Sequence, residues 1–214
     1  MQNKSFRWLA LLGLLVAGVA NADGFGIGVK AGTLGYGVEG TFALSERVNL
    51  RAGLNDYSLS YDESEGGILY NGKLELGTVA VLFDWHPFAG TFRLSAGLMK
   101  NDNAIKLTAT PTTNQTIGGN PYTPAEIGTL SGDVSFKSTA PYLGIGWGNA
   151  SRNGRFGGSF EIGAMFQGSP KVSLSASGGA VSQVDLTSEA QEAQADLDDF
   201  KIYPVISLGL SFRF

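Results

Sequence analysis

Apolar and non-apolar residues alternate with a period of two through most of this chain. That is the mark of β-strands whose two faces differ chemically. Phe25, Ile27, Val29 and Ala31 share one face, with Gly24, Gly26, Gly28, Lys30 and Gly32 on the other. Tyr36, Val38, Phe42 and Leu44 oppose Gly37, Glu39, Thr41 and Ala43, and Val48, Leu50, Ala52 and Leu54 oppose Asn49, Arg51, Gly53 and Asn55. The same alternation runs through 92–99 and 156–167. It is cleanest at the end, where Ile206, Leu208, Leu210, Phe212 and Phe214 alternate with Ser207, Gly209, Ser211 and Arg213. Two further strands, near 68–85 and 134–147, bring the count to about eight. Their parity slips near Gly77 and near Pro141, which predicts a bulge in each.

A soluble sandwich turns its larger residues inward and covers its outer face with Lys, Glu and Thr. Here the second face is mostly glycine and serine with isolated charges, a poor solvent surface but a good barrel interior. Composition points the same way, with 31 glycines and only 16% charged residues. The pattern therefore predicts an all-β fold, a transmembrane antiparallel up-and-down β-barrel of about eight strands. The connections 45–47, 86–89 and 149–154 are short, as periplasmic turns are. Apart from the tight hairpin at Leu34-Gly35, the alternate set is 62–67, 110–132 and 175–200, of which the last two are much longer, as external loops are. Phe25, Trp85, Phe88, Phe92, Trp147, Phe156 and Phe214 fall at one level, and Tyr36, Tyr57, Tyr61, Tyr70 and Tyr203 towards the other, as two interfacial girdles would.

One short amphipathic helix is predicted in the last external loop, from Ser188 to Phe200. Ser188 and Gln191 fit a capping box, and Ala190, Ala193, Leu197 and Phe200 recur on one face. Asp196, Asp198 and Asp199 crowd its C-terminal end, where the helix dipole disfavours anions. Lys201, a divalent cation or the cation-bridged lipopolysaccharide layer is expected to offset them.

The N-terminus reads as an export signal. Lys4 and Arg7 precede an apolar run from Trp8 to Ala20, and Ala20-Asn21-Ala22 supplies a small-x-small cleavage pattern. We therefore expect a cleaved signal peptide at 1–22 and one barrel domain at 23–214. Cleavage removes two basic residues and no acidic one, taking the net charge from −4 to −6. That balance argues against a nucleic-acid partner. With no cysteine, neither a disulfide nor a thiolate metal site is possible. No cofactor is expected, and the barrel is expected to be monomeric.

The candidate chemistry lies on the polar face. A two-residue turn at Leu34-Gly35 would set Lys30 opposite Glu39, and a three-residue turn at 45–47 would set Arg51 opposite Thr41, diagonal to Glu39. Lys30, Glu39 and Arg51 should form one internal charge cluster, extended at other heights by Lys73, Glu75, Arg93, Glu161 and Arg213. Such a cluster could select or gate a polar path. The favoured reading is a plug whose paired charges satisfy one another where water is scarce. His86, the single histidine, falls in a predicted periplasmic turn between Trp85 and Pro87 and makes a poor catalytic base. No catalytic residue is expected.

The closing run from Tyr203 to Phe214 resembles the terminal strand of outer-membrane proteins. In those families a final Phe with alternating apolar residues is read by the barrel-assembly machinery; Leu208, Leu210, Phe212 and Phe214 stand in the matching positions. The whole chain after the leader resembles the small eight-stranded barrels that include the OmpW and OmpX-like families. The resemblance implies a bacterial outer-membrane location among lipid and lipopolysaccharide. It also implies a non-enzymatic function, either a narrow passage for small apolar solutes or an anchor whose external loops meet a partner. A lipid-modifying enzyme is the third reading. No residue here matches a family active site.

Overall fold

The computed structural model describes residues 24–151 and 154–214, so the expected leader lies outside the described residues. Among these, thirteen strands follow in order: β1 (Phe25–Gly32), β2 (Gly35–Ala43), β3 (Val48–Glu65), β4 (Ile68–Trp85), β5 (Phe92–Asn101), β6 (Ala104–Pro111), β7 (Gln115–Ile117), β8 (Asn120–Tyr122), β9 (Leu130–Ser135), β10 (Thr139–Trp147), β11 (Phe156–Phe166), β12 (Lys171–Ala176) and β13 (Ile202–Arg213). Two helices interrupt them, α1 (Pro124–Ile127) and α2 (Gln183–Asp196).

Every strand pairing is antiparallel. From β1 the ladder passes through β2, β3 and the second half of β4 to β5. It continues through β10 and β11 to β13, which pairs with β1. Eight strands thus make a ring of pairings. The first half of β4 pairs instead with β6, and β9 and β12 follow in the same sheet. The ring's outward positions are apolar and exposed: Val29, Val81, Phe83, Leu98, Leu143, Ile145 and Leu208, with Leu210 at 70% exposure. The enclosed positions are mixed, with Glu39, Thr41, Arg51, Thr78, Asp84, Arg93, Ser95 and Glu161 all buried.

The expected bulge near Gly77 is absent. The β3–β4 ladder runs without a slip from Val48 opposite Trp85 to Glu65 opposite Ile68. What changes is which face is apolar. From Val79 to Trp85 the outward positions are Val79, Val81, Phe83 and Trp85; from Glu75 back to Leu69 they are Glu75, Lys73, Asn71 and Leu69. The axis-facing positions are mixed below, with Asp84, Leu82, Ala80 and Thr78, and continue as Leu76, Leu74, Gly72 and Tyr70 above. The backbone keeps its period of two while the outward face inverts from apolar to polar, as happens when a strand passes from an apolar surrounding into water.

The strand expected over 134–147 is two strands, broken at 136–138. Pro141 needs no bulge. β10 pairs with β5 from Thr139 but with β11 only from Tyr142, so Pro141 lies beyond the end of the β11 ladder and interrupts no bond there.

The polar stretches read as loops fold into a domain. β6, β9 and β12 extend the sheet, β7 and β8 form a hairpin, and Ile117, Ile127, Val181 and Leu186 make a separate small core with Tyr122, Leu130, Leu174 and Ala176 packed against it. The predicted helix starts earlier than expected. Its N-cap is Ser182, whose Oγ accepts from the Asp185 amide at 3.1 Å, and Ser188 lies in its interior. Asp185 puts a carboxylate into the first turn, where free N–H groups and the dipole favour it, so this cap outcompetes the Ser188 alternative. The helix ends at Asp196 and a 3₁₀ turn follows, in which Lys201 Nζ meets Asp198 at 2.6 Å.

Aromatic rings line the turn end of the ring. Phe92 contacts Phe88 and Trp147, Trp147 stacks on Phe160, and Phe212 lies against Phe156 and Phe214, which stacks on Phe25. The expected second girdle is thinner. Tyr36 is exposed on the outer face, whereas Tyr61 and Tyr70 stand above the inversion and Tyr203 points inward, its hydroxyl donating to the Thr33 carbonyl at 2.5 Å.

Candidate functional site

The enclosed space at mid-height is filled by an ion network built around Arg51. Its Nε and Nη2 donate to the two oxygens of Asp84 at 2.9 and 3.0 Å. Nη2 also donates to Glu161 at 2.5 Å, and Nη1 to Glu39 at 3.3 Å. Arg93 donates from Nη2 to Glu161 at 2.6 Å and from Nη1 to the Gly148 carbonyl at 2.8 Å. Lys30 Nζ meets Glu39 at 3.2 Å. Two hydroxyls complete the carboxylates' coordination: Ser95 Oγ donates to Asp84 at 2.6 Å and Tyr142 to Glu161 at 2.6 Å. Three cations face three anions, so the cluster is neutral, and β1, β2, β3, β4, β5 and β11 each supply one charge.

Each charge is in place because of strand parity and register. Arg51 stands opposite Thr41, as the three-residue turn requires. Lys30 and Glu39 are not directly opposite: Lys30 pairs with Gly37 and Glu39 with Gly28. The two-residue turn is Thr33-Leu34 rather than Leu34-Gly35, which tucks Leu34 into the interior at 4% exposure, and the two charges reach each other diagonally. Gly35 follows with φ +91°, and a Cβ there would lie 2.5 Å from that of Tyr57, so no other residue fits.

Of the eight charged residues picked from sequence, Lys30, Glu39, Arg51, Arg93 and Glu161 come together. Lys73 and Glu75 do not join them. They lie on the outward-facing side of β4 above the inversion, where Glu75 bridges Lys73 at 2.6 Å and Lys106 at 2.7 Å. Arg213 closes β13 opposite Gly26, and the cluster's ion pairs are completed without it. Sequence reasoning missed Asp84, Ser95 and Tyr142. Asp84 had a usable signal, an acid between the outward Phe83 and Trp85.

On one side of the network the interior is apolar. Leu34, Ala80, Leu82, Met99, Ala140, Tyr142, Met165 and Val205 form a buried cluster. Gly144 and Gly163 stand opposite each other, and a Cβ on either would lie 2.4 or 2.3 Å from the Tyr142 hydroxyl, so both make room for that ring. Towards the turn end the filling is neutral and polar. His86 Nδ1 bonds the Phe92 carbonyl at 3.1 Å and its Nε2 meets Asn49 Nδ2 at 3.2 Å. Those partners fix a neutral ring with its proton on Nδ1, occupied on both nitrogens. His86 is 1% exposed, a buried structural residue at the turn end. Asn49, Asn149 and Ser151 bond one another beside it. Two small cavities flank the network, one lined by Lys30, Asn55, Met99 and Glu161, the other by Thr41, Asn49, Asp84 and Arg93. Each measures about 10 Å³, room for about one water.

This architecture recurs in known proteins. The chain is similar to the crystal structure of Acinetobacter baumannii CarO, at 25% identity and a TM-score of 0.58 over 88% of this chain and 97% of that one. It is similar to CarO2 of the same organism at 24% identity and the same TM-score, again over 88% and 97%. No protein-family model matches the sequence, and no curated protein does. CarO is an outer-membrane β-barrel protein, and the fold of this chain is that of the bacterial outer-membrane β-barrels.

Proposed function

We propose that this chain is a non-enzymatic, monomeric outer-membrane barrel, closed by eight strands, whose sealed interior anchors a folded external domain that meets partners at the cell surface. The carrying observation is the filling of the ring. A neutral ion network, an apolar cluster and a polar end stack along the axis, and the cavities between them hold about one water each. Of the two non-enzymatic readings, anchoring is the one this packing supports, ahead of a passage for small apolar solutes. The apolar outer wall would lie in lipid, the short turns in the periplasm, and β6–β9 with β12 and α2 outside among lipopolysaccharide. Leu208, Leu210 and Phe212, outward on β13, and Phe214 just past its end would serve as the signal read by the assembly machinery. Planar-bilayer recording of the purified chain tests the reading. Silence at ordinary voltages is expected, and steady unitary conductance would overturn it in favour of a passage.

A further inference from the structure

We infer that the free edge of β3 between Tyr57 and Glu65 is a docking site at which an extended, basic segment of a partner protein adds itself as a β-strand. This rests on the anchoring function proposed above and supplies the chemistry of the partner.

The β1–β2 hairpin stops at Thr33-Leu34, and the β2–β3 ladder ends where Tyr36 faces Asp56. β3 does not stop there. It continues for nine residues, Tyr57 to Glu65, paired with β4 on one side. Among the described residues no strand pairs with its other edge. At about 3.3 Å per residue this is an edge roughly 30 Å long, carrying a row of backbone donors and acceptors.

Proteins ordinarily blunt such edges with charged side chains, lysine above all, or with proline, a bulge or a covering loop; here Asp62, Glu63 and Glu65 charge only the tip, and Tyr57 to Tyr61 carry no charge. The run Tyr-Ser-Leu-Ser-Tyr-Asp-Glu-Ser-Glu has no lysine and no proline, and its ladder to β4 has no slip. The opposite border of the same external sheet is managed differently. There β12 is packed by α2, and Gln194 accepts from the Val172 amide at 3.4 Å. One border is covered and the other is left open, next to the exposed side chains of Leu59 and Tyr61. An added strand would find apolar contacts there for its alternate residues.

Charge chooses the occupant. Asp62, Glu63 and Glu65 are the charged residues of the extension, all acidic, and Asp56 just before it is acidic too. A second copy of this chain is a poor fit. Two barrels in one membrane hold β3 pointing the same way, so edge-to-edge pairing would be parallel and would set Asp62, Glu63 and Glu65 of both copies at equal height. A segment with Lys or Arg where it meets the tip gains attraction instead, together with the main-chain bonds.

The test uses the purified full barrel in detergent micelles at low salt. The probe is a peptide of alternating valine and threonine with a lysine tail. Two controls accompany it: the same peptide with a glutamate tail, and the lysine peptide with alternate amides N-methylated. Binding of the lysine peptide alone is expected, weakened about tenfold by combined Asp62→Asn, Glu63→Gln and Glu65→Gln. Equal binding of the N-methylated peptide would show that strand addition is wrong, and equal binding of the glutamate peptide would show that the charge argument is wrong. No binding of any probe, or cross-linked dimers through β3 without peptide, would overturn the proposal outright. A conducting barrel would count against the anchoring reading while leaving the peptide result to stand by itself.

Discussion

Replacing Arg51 with leucine is the sharpest perturbation of the interior. The wild-type network balances three cations with three anions, and Arg51 touches all three carboxylates. Without it, Glu161 keeps Arg93 at 2.6 Å and Glu39 keeps Lys30 at 3.2 Å. Asp84 keeps the Ser95 hydroxyl at 2.6 Å, and the nearest remaining cation is Arg93 at 3.9 Å. One net negative charge is stranded in a space that admits about one water, and breaking a buried pair in this way costs about 3–5 kcal/mol. Urea unfolding of the variant in phospholipid vesicles, followed by tryptophan fluorescence, measures the loss. Pairing Arg51→Leu with Asp84→Asn restores neutrality and should recover much of it. A loss under about 1 kcal/mol for Arg51→Leu, or no recovery in the double variant, would mean that the charges are solvated and the interior is wet.

The glycine pair at Gly144 and Gly163 gives a steric counterpart. Gly163→Ala places a methyl 2.3 Å from the Tyr142 hydroxyl and should lower stability by about 1–3 kcal/mol by pushing that ring off Glu161; unchanged unfolding would show the ring is free to move. The external domain should loosen in acid. The Tyr122 hydroxyl, and then Ser182 and Asn120, hold the Asp185 carboxyl below its ordinary value. A lowered folded value contributes stability that is fully present above the unfolded value of about 3.9 and disappears as pH falls through the folded one. Hydrogen exchange of the α2 amides, corrected for intrinsic rate, should therefore lose protection below about pH 4, and Asp185→Asn should flatten that dependence; a loss already complete at pH 6 would refute it.

Much of the ring was legible because lipid-facing and enclosed positions differ in kind as well as in hydropathy. β1, β2, β3, β5, β11 and β13 follow their alternation, and the Thr41–Arg51 register follows from turn length alone. The misreadings share a cause. Charge was assumed to mean inside, so Lys73 and Glu75 were drawn into the cluster, although above the inversion at Gly77 charge faces outward to water. The same inversion imitated a bulge. Asp84 and Tyr142 were hidden because the enclosed face of β4 and β10 also carries Leu82, Ala80 and Ala140, which blurs the contrast between faces. The Thr33-Leu34 turn was settled by burying Leu34, a tertiary gain that turn propensity does not contain.

The central claim is that the ring's apolar outer wall faces hydrocarbon. Trp85 and Trp147, both outward and about half exposed, are the tryptophans of the chain that follows the expected leader. Reconstituted from detergent into vesicles of lipids brominated along the acyl chain, both should be strongly quenched relative to unbrominated vesicles. Unquenched emission that responds instead to aqueous iodide would contradict the account.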